Sequence, residues 1–348
     1  MIKLIMLMCL FSNVEWKVGN VFKDQESLNS LKFALDDFTE ETGHFINSYD
    51  VMGDKFLRFL NVTSIASSVI STYRITHEAA HRPAKYFDQS LILSKRGLHK
   101  HEIDISLGTN EQLDIVVGGL NNTEELVDES YRRSIYNPNL SYSINYMLGR
   151  QDWLLQWIYS FYLAKNSPWS ELPSGDNSAY LYLMGKGDKE KDFWISIIPE
   201  LSSIYLYQSI YNIGTYINSN YITRPWSIKI GKIRIYYPHV STYRLRKGYF
   251  WDLSIYVNNF SLHIGRDLDF IVGDVNRIRL GIRAYNLILM GVAFSPFVYV
   301  TSQEGIFTGL RIDTTYVFTE IKYQNKDVIE QQKGVKKWVF HLGVKYKF

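Results

Sequence analysis

The chain has 348 residues, of which 46% are hydrophobic and 21% are charged, so general disorder is excluded. Its net charge of +3, from 38 basic and 35 acidic residues, does not indicate a nucleic-acid-binding protein. The single cysteine, Cys9, excludes a disulfide framework and a zinc site built from cysteines. Aromatic residues reach 15%, mostly tyrosine, a ring suited to interfaces with partners or membranes.

The first residues have the pattern of a short secretory signal peptide. Lys3 precedes an apolar run over residues 4–11, and the small residue Ser12 follows. We therefore expect residues 1–14 to be a signal peptide. A buried N-terminal strand and a wrongly assigned start codon are the alternatives.

Residues 15–220 have mostly helical periodicity, which predicts a helical domain. One exception is a hairpin expected at 101–117, where apolar residues alternate on both sides of a turn at Gly108. The other segments with apolar residues at three- and four-residue spacing are 28–38, 54–81, 123–134, 142–165 and 191–217.

From about residue 226 the apolar period becomes two, which predicts antiparallel strands. Residues 249–257 and 260–264 alternate on both sides of Asn258-Asn259, a pair that tolerates a tight turn. In all, this part of the chain has seven or eight such segments, several of them nine to thirteen residues long. The sequence therefore predicts an α+β chain with a helical first part and a β-sheet in residues 221–348.

The last predicted strand has one apolar face and one polar or small face. Phe340, Leu342, Val344, Tyr346 and Phe348 alternate with polar or small residues. An aromatic last residue preceded by such alternation resembles the C-terminal strand of bacterial outer-membrane β-barrel proteins, over about residues 226–348. The resemblance implies a barrel of about eight strands in the outer membrane, with the helical domain in the periplasm. The alternative is the last strand of a soluble β-sandwich.

The helical part contains one chemical motif, His77-Glu78-Ala79-Ala80-His81. On a helix the two imidazoles lie one turn apart on the same face and can bind one zinc ion. The glutamate between them can take a proton from metal-bound water. The alternative is that both histidines are core residues with hydrogen bonds to the backbone.

An acidic segment downstream offers a third metal ligand. Asn122 or Thr123 is a favourable N-cap, and Glu124 and Asp128 follow at four-residue spacing. This pattern resembles the second motif of the gluzincin metallopeptidases. The resemblance covers about residues 60–130, and implies Glu124 as the third ligand and Asp128 as hydrogen-bond partner of a ligand histidine. Glu125, paired with Glu129, fits the same spacing.

Together these features predict a zinc-dependent endopeptidase tethered to the bacterial outer membrane. Its cofactor would be zinc, and its partners a peptide or protein substrate from the cell envelope and the lipid bilayer, without nucleic acid. The alternative is a non-enzymatic outer-membrane β-barrel protein whose helical part is structural or binds a partner.

Overall fold

The computed structural model describes residues 15–18, 25–47, 54–80, 109–150, 179–180, 183, 198–199, 201–245, 248–269, 278–302, 305–325 and 337–345. The predicted signal peptide, residues 1–14, therefore lies outside the described residues. The described helices are α1 (Gln25–Asn47), α2 (Asp54–Ala80), α3 (Thr109–Tyr136), α4 (residues 140–150) and α5 (Ile204–Ser219).

Twelve strands form one antiparallel sheet. They are β1 (Glu15–Val18), β2 (Ser227–Ile230), β3 (Ile233–Tyr236), β4 (His239–Leu245), β5 (Gly248–Val257), β6 (Phe260–Asp269), β7 (Ile278–Ala284), β8 (Leu287–Leu289), β9 (Val292–Thr301), β10 (Ile306–Asp313), β11 (Val317–Gln324) and β12 (Lys337–Lys345). The strand order is β1-β12-β11-β10-β9-β7-β6-β5-β3-β2, with β4 also paired to β5 and β8 to β9. The sheet is not closed, and β1 and β2 are its two terminal strands.

The predicted α+β class is confirmed, but the strand number is not. Eleven strands, β2 to β12, lie in the C-terminal half instead of about eight. The difference comes from short strands of three or four residues, such as β2, β3 and β8, in which alternation is too brief to read. Moreover, β3 and β4 are separated only by residues 237–238 and both pair with β5.

The hairpin predicted at 101–117 is wrong for its described part, because α3 begins at Thr109. The alternating residues Leu113 and Val117 also belong to a helical stripe with Leu120, and all three are buried. The N-cap predicted at Asn122 or Thr123 is wrong as well. Both residues are buried inside α3, which begins 13 positions earlier than Asn122, at Thr109.

The sheet has an apolar exposed face and a polar buried face. In register across β6, β7, β9 and β10, the exposed row is Ile264, Leu280, Val300 and Ile306. The row beside it, on the other face, begins with buried His263 and continues through Gly281 to buried Tyr299. Other buried polar side chains of the strands include Asp252, Ser254, Ser261, Arg279, Ser295, Asp313, Glu320 and His341.

Helix α3 packs on β4, on the buried face of the sheet. Its Tyr131 lies 5.6 Å from the Tyr256 ring of β5 and 5.1 Å from the Tyr205 ring of α5, measured between centroids. Helix α1 contacts β1, α2 contacts both α1 and α5, and α5 precedes β2 in the chain.

Candidate functional site

The first histidine of the HExxH motif faces α3. His77 lies in the last turn of α2 and is buried, with its Nδ1 3.0 Å from Thr123 Oγ1. Its ring stacks on Tyr73 with centroids 6.4 Å apart. The backbone of Glu78 continues α2, whereas His81 lies outside the described residues. His77 therefore lies on the buried face of its helix.

Glu124 joins three elements through a buried ion pair. Its two carboxylate oxygens accept from Arg150 Nη1 at 3.0 and 3.1 Å, and Oε1 also accepts from the Thr242 amide at 3.2 Å. Arg150 Nη2 donates to the Val240 carbonyl at 3.0 Å. Because both charged side chains are fully buried, removing one partner would leave the other uncompensated. A zinc ion would compete with Arg150 for this carboxylate.

Asp128 does steady a histidine, but a histidine that the sequence did not single out. His239 Nε2 on β4 lies 2.7 Å from Asp128 Oδ1, and Ser241 and Tyr243 donate to the same carboxylate at 2.6 and 3.0 Å. Burial by itself would raise the pKa of Asp128, but His239 and Ser241 hold that pKa below its ordinary value. The pairing joins residues 111 positions apart (239 minus 128), so no local pattern signals it.

The two alternative acidic residues are placed differently. Glu125 is exposed, and Glu129 accepts from both Arg132 and Arg133, with Arg133 Nε 2.7 Å from its Oε1. Among the residues that the structure describes, no group of three His, Cys, Asp or Glu side chains is placed to bind a metal. Since His81 is outside these residues, zinc binding by His77, His81 and Glu124 stays a prediction.

A second histidine site lies on the buried face of the sheet. His263 Nδ1 is 3.3 Å from Asp252 Oδ2, and its Nε2 is 2.9 Å from Ser261 Oγ. A carboxylate on one ring nitrogen and a hydroxyl on the other is the connectivity of a Ser-His-Asp triad. However, all three are buried, and Arg279 Nη2 binds the same Asp252 oxygen at 2.6 Å. The arrangement pairs buried polar groups with one another, and none of the three side chains is exposed.

Comparisons with known proteins do not assign this chain to a family. No family model, no curated protein and no solved structure matches this chain. Among the described helices, none combines the length and the apolar character needed to cross a bilayer.

Proposed function

We propose that this chain is an integral protein of the bacterial outer membrane, in which the C-terminal strands cross the bilayer and helix α3 lies on the polar side of the sheet. The observation that carries the proposal is the exposed row Ile264, Leu280, Val300 and Ile306, beside buried His263 in the next row. In water such a sheet would expose its apolar face and bury its polar one, against the hydrophobic effect. In lipid the same distribution is favourable.

The helices support the proposal independently. On α5, Gln208, Ser209 and Asn212 are buried, whereas Ile210 and Tyr211 are exposed. The exposed apolar side chains of α2 are Phe56, Phe59, Leu60, Ile70 and Ile75. A helix with buried amides and an exposed aliphatic face is unusual in a water-soluble protein. Helix α2 contacts α1, which packs on β1, and α5 contacts α2 and precedes β2 in the chain. In this proposal their exposed apolar side chains continue the apolar surface of the sheet.

The ends of the strands suggest an orientation. Residues 231–232, 258–259 and 314–316 are short turns at one end, where β12 also ends. At the other end the β4–β5 and β9–β10 connections are short, residues 246–247 and 302–305, but those between β6 and β7 and between β11 and β12 are longer, residues 270–277 and 325–336. Bacterial barrels have short turns on the periplasmic side and longer loops outside. The end with the short turns is therefore the periplasmic end in this proposal.

The proposal also includes closure of the sheet into a barrel. An open sheet edge does not occur in the hydrocarbon region unless something covers it. We expect α1, α2 and α5 to cover the edges of β1 and β2 within the bilayer. In such a barrel α3 lies against β4 and fills the interior, so there is no open pore.

Membrane extraction tests this proposal. The full-length chain, expressed in a Gram-negative host, should stay in the membrane fraction after alkaline carbonate washing and need detergent for extraction. Its apparent mass on a gel should change on boiling. Recovery of folded protein in the carbonate supernatant without detergent would contradict the proposal.

A second candidate function is zinc-dependent peptide hydrolysis at the HExxH motif. The observation that favours it is buried His77 beside Thr123, which places the motif against the helix that carries Glu124. Zinc bound by His77, His81 and Glu124 would polarise a peptide carbonyl and acidify water, with Glu78 as general base. Zinc content per chain, compared between the parent and His77→Ala, tests this function. One zinc in the parent and little in the variant supports it, and no zinc in either rejects it.

A further inference from the structure

A cationic pocket lies at the end of the sheet that carries the short turns. It has a volume of about 310 Å³. We call it the cationic pocket, and its lining residues are Ile135, Tyr136, Arg224, Lys229, Lys232, Arg234, Tyr236, Asn258 and Asn259. Four of these nine are cations and none is an acid, so the pocket is suited to an anion.

Two of the cations oppose each other directly. Lys229 on β2 pairs in register with Arg234 on β3, which places both side chains on the same face. Like charges in directly opposite positions destabilise a strand pair. Within the part of the chain that the structure describes, no carboxylate forms an ion pair with these two residues or with Arg224 and Lys232. A bound anion would remove this repulsion.

The backbone around the cationic pocket is held by hydrogen bonds. The Arg234 amide donates to Asn258 Oδ1 at 2.8 Å, and the Asn258 amide donates to the Arg234 carbonyl at 2.9 Å. Asn258 has a φ of 48°, a left-handed conformation that asparagine tolerates in turns. On the other side, Gln208 Nε2 donates to the Arg224 carbonyl at 2.6 Å. Strands β2 and β3 are thus fixed to the β5–β6 turn before any ligand binds.

The opposite face of β2 and β3 is apolar. Ile228, Ile230 and Ile233 are exposed there, 55%, 62% and 48% respectively. At the start of β2, Trp226 is exposed, and its carbonyl accepts from the amide of exposed Tyr237 at 3.3 Å. Trp226 and Tyr237 lie at the end of the hairpin away from its 231–232 turn, so the isoleucines lie between these aromatic side chains and the turn. In the proposed orientation the turn is at the periplasmic end, which brings Lys232 to headgroup level and leaves the isoleucines on the bilayer side of it.

We infer that the cationic pocket binds the phosphate of an anionic phospholipid, whose headgroup reaches over the 231–232 turn while its chains lie against the isoleucines on the opposite face of the hairpin. This inference rests on the proposed membrane location. Lys229 and Arg234 would bind the phosphate oxygens, and Arg224 and Lys232 would add charge at the rim. Free phosphate esters share the headgroup chemistry but lack the acyl chains, so they should bind more weakly.

The test measures lipid binding to the purified full-length protein in non-ionic detergent by native mass spectrometry. The probes are phosphatidylglycerol, phosphatidylcholine and soluble glycerol phosphate. The test variant is Lys229→Gln with Arg234→Gln. The control is Lys55→Gln with Arg74→Gln, two exposed cations on α2 that give the same change in net charge.

The parent and the control should prefer phosphatidylglycerol over phosphatidylcholine. The test variant should lose about 30-fold in phosphatidylglycerol affinity, from roughly 1 kcal/mol per cation. Without lipid, the test variant should be no less stable than the parent, because it lacks the Lys229–Arg234 repulsion. Equal affinity in the test variant and the control would overturn the site. Glycerol phosphate binding as tightly as the lipid would overturn its assignment to a lipid.

Failure of this inference is distinguishable from failure of the membrane proposal. Flotation of the protein with phosphatidylcholine vesicles reports insertion without requiring the cationic pocket. A protein that floats but shows no phosphatidylglycerol preference overturns only the lipid site. A protein that does not float with vesicles overturns the membrane proposal, and the lipid site with it.

Discussion

The Glu124 carboxylate on α3 and the Arg150 guanidinium on α4 form an ion pair with no exposed side-chain surface, with Nη1 3.0 Å from Oε1. The same carboxylate accepts from the amide of Thr242, so this pair joins two helices to β4. It gives the molecule a charged interior, in keeping with the polar buried face of the sheet.

We expect Arg150→Met to lower the free energy of unfolding by about 3–5 kcal/mol, because Glu124 would stay buried without its partner. The measurement is denaturant unfolding in detergent, followed by tryptophan fluorescence. Glu125→Gln, at an exposed position of the same helix, should change stability by less than about 0.5 kcal/mol. An unchanged midpoint for Arg150→Met would show that the pair does not hold these elements together.

Glu124→Gln separates the structural role from metal binding. If Glu124 is a zinc ligand, zinc should stabilise the parent by about 2.7 kcal/mol at 100 times its dissociation constant, and the variant much less. If the residue serves only the ion pair, the variant should lose the same stability with and without zinc. The measurement is the unfolding midpoint of both proteins with chelator and with added zinc.

Gly281 gives a test of packing on the buried face of the sheet. A Cβ atom at this position would lie 2.0 Å from Cδ1 of Tyr299, so the ring would have to move. We expect Gly281→Ala to lose about 1–3 kcal/mol of stability. Gly214 of α5 has no atom within 4 Å of its added Cβ, so Gly214→Ala should gain about 0.5–1 kcal/mol. Thermal unfolding of both variants compares them, and similar shifts would argue against this packing.

Lysine substitutions distinguish a lipid-facing surface from a water-facing one. Leu280 is 50% exposed in the middle of β7, and Thr315 is exposed in the β10–β11 turn. In vesicles, Leu280→Lys should lower stability by about 2–4 kcal/mol, whereas Thr315→Lys should have little effect. A water-exposed Leu280 would instead accept lysine at almost no cost. Folding yield and denaturant stability in vesicles measure both variants.

The sequence predicted local features of the sheet well. The Asn258-Asn259 turn between β5 and β6 is confirmed. These features depend on near neighbours, whose turn chemistry and alternation are visible in the chain. Alternation also separates the apolar face from the polar one. It does not by itself decide which face is buried, and the burial of His263 beside exposed Leu262 and Ile264 supplied that decision.

The sequence was less informative where distant residues meet. Helix α3 was missed over 109–122 because some of its apolar residues also alternate, after a turn expected at Gly108. The strand β1 pairs with β12 from the opposite end of the chain. Similarly, Glu124 meets Arg150 and Asp128 meets His239, so the acidic residues of the second motif have partners that their spacing does not reveal.

The most direct test of the membrane proposal is the environment of exposed positions on the sheet. Single cysteines at Leu280, Val300 and Thr315, in a Cys9→Ser background, would carry nitroxide labels on protein reconstituted in vesicles. All three positions are exposed, so differences in collision rate report the surrounding medium and not burial. The account predicts that labels at 280 and 300 collide with oxygen more than with a water-soluble nickel chelate, and that the label at 315 does the reverse. Collision with the nickel chelate at all three positions would contradict it.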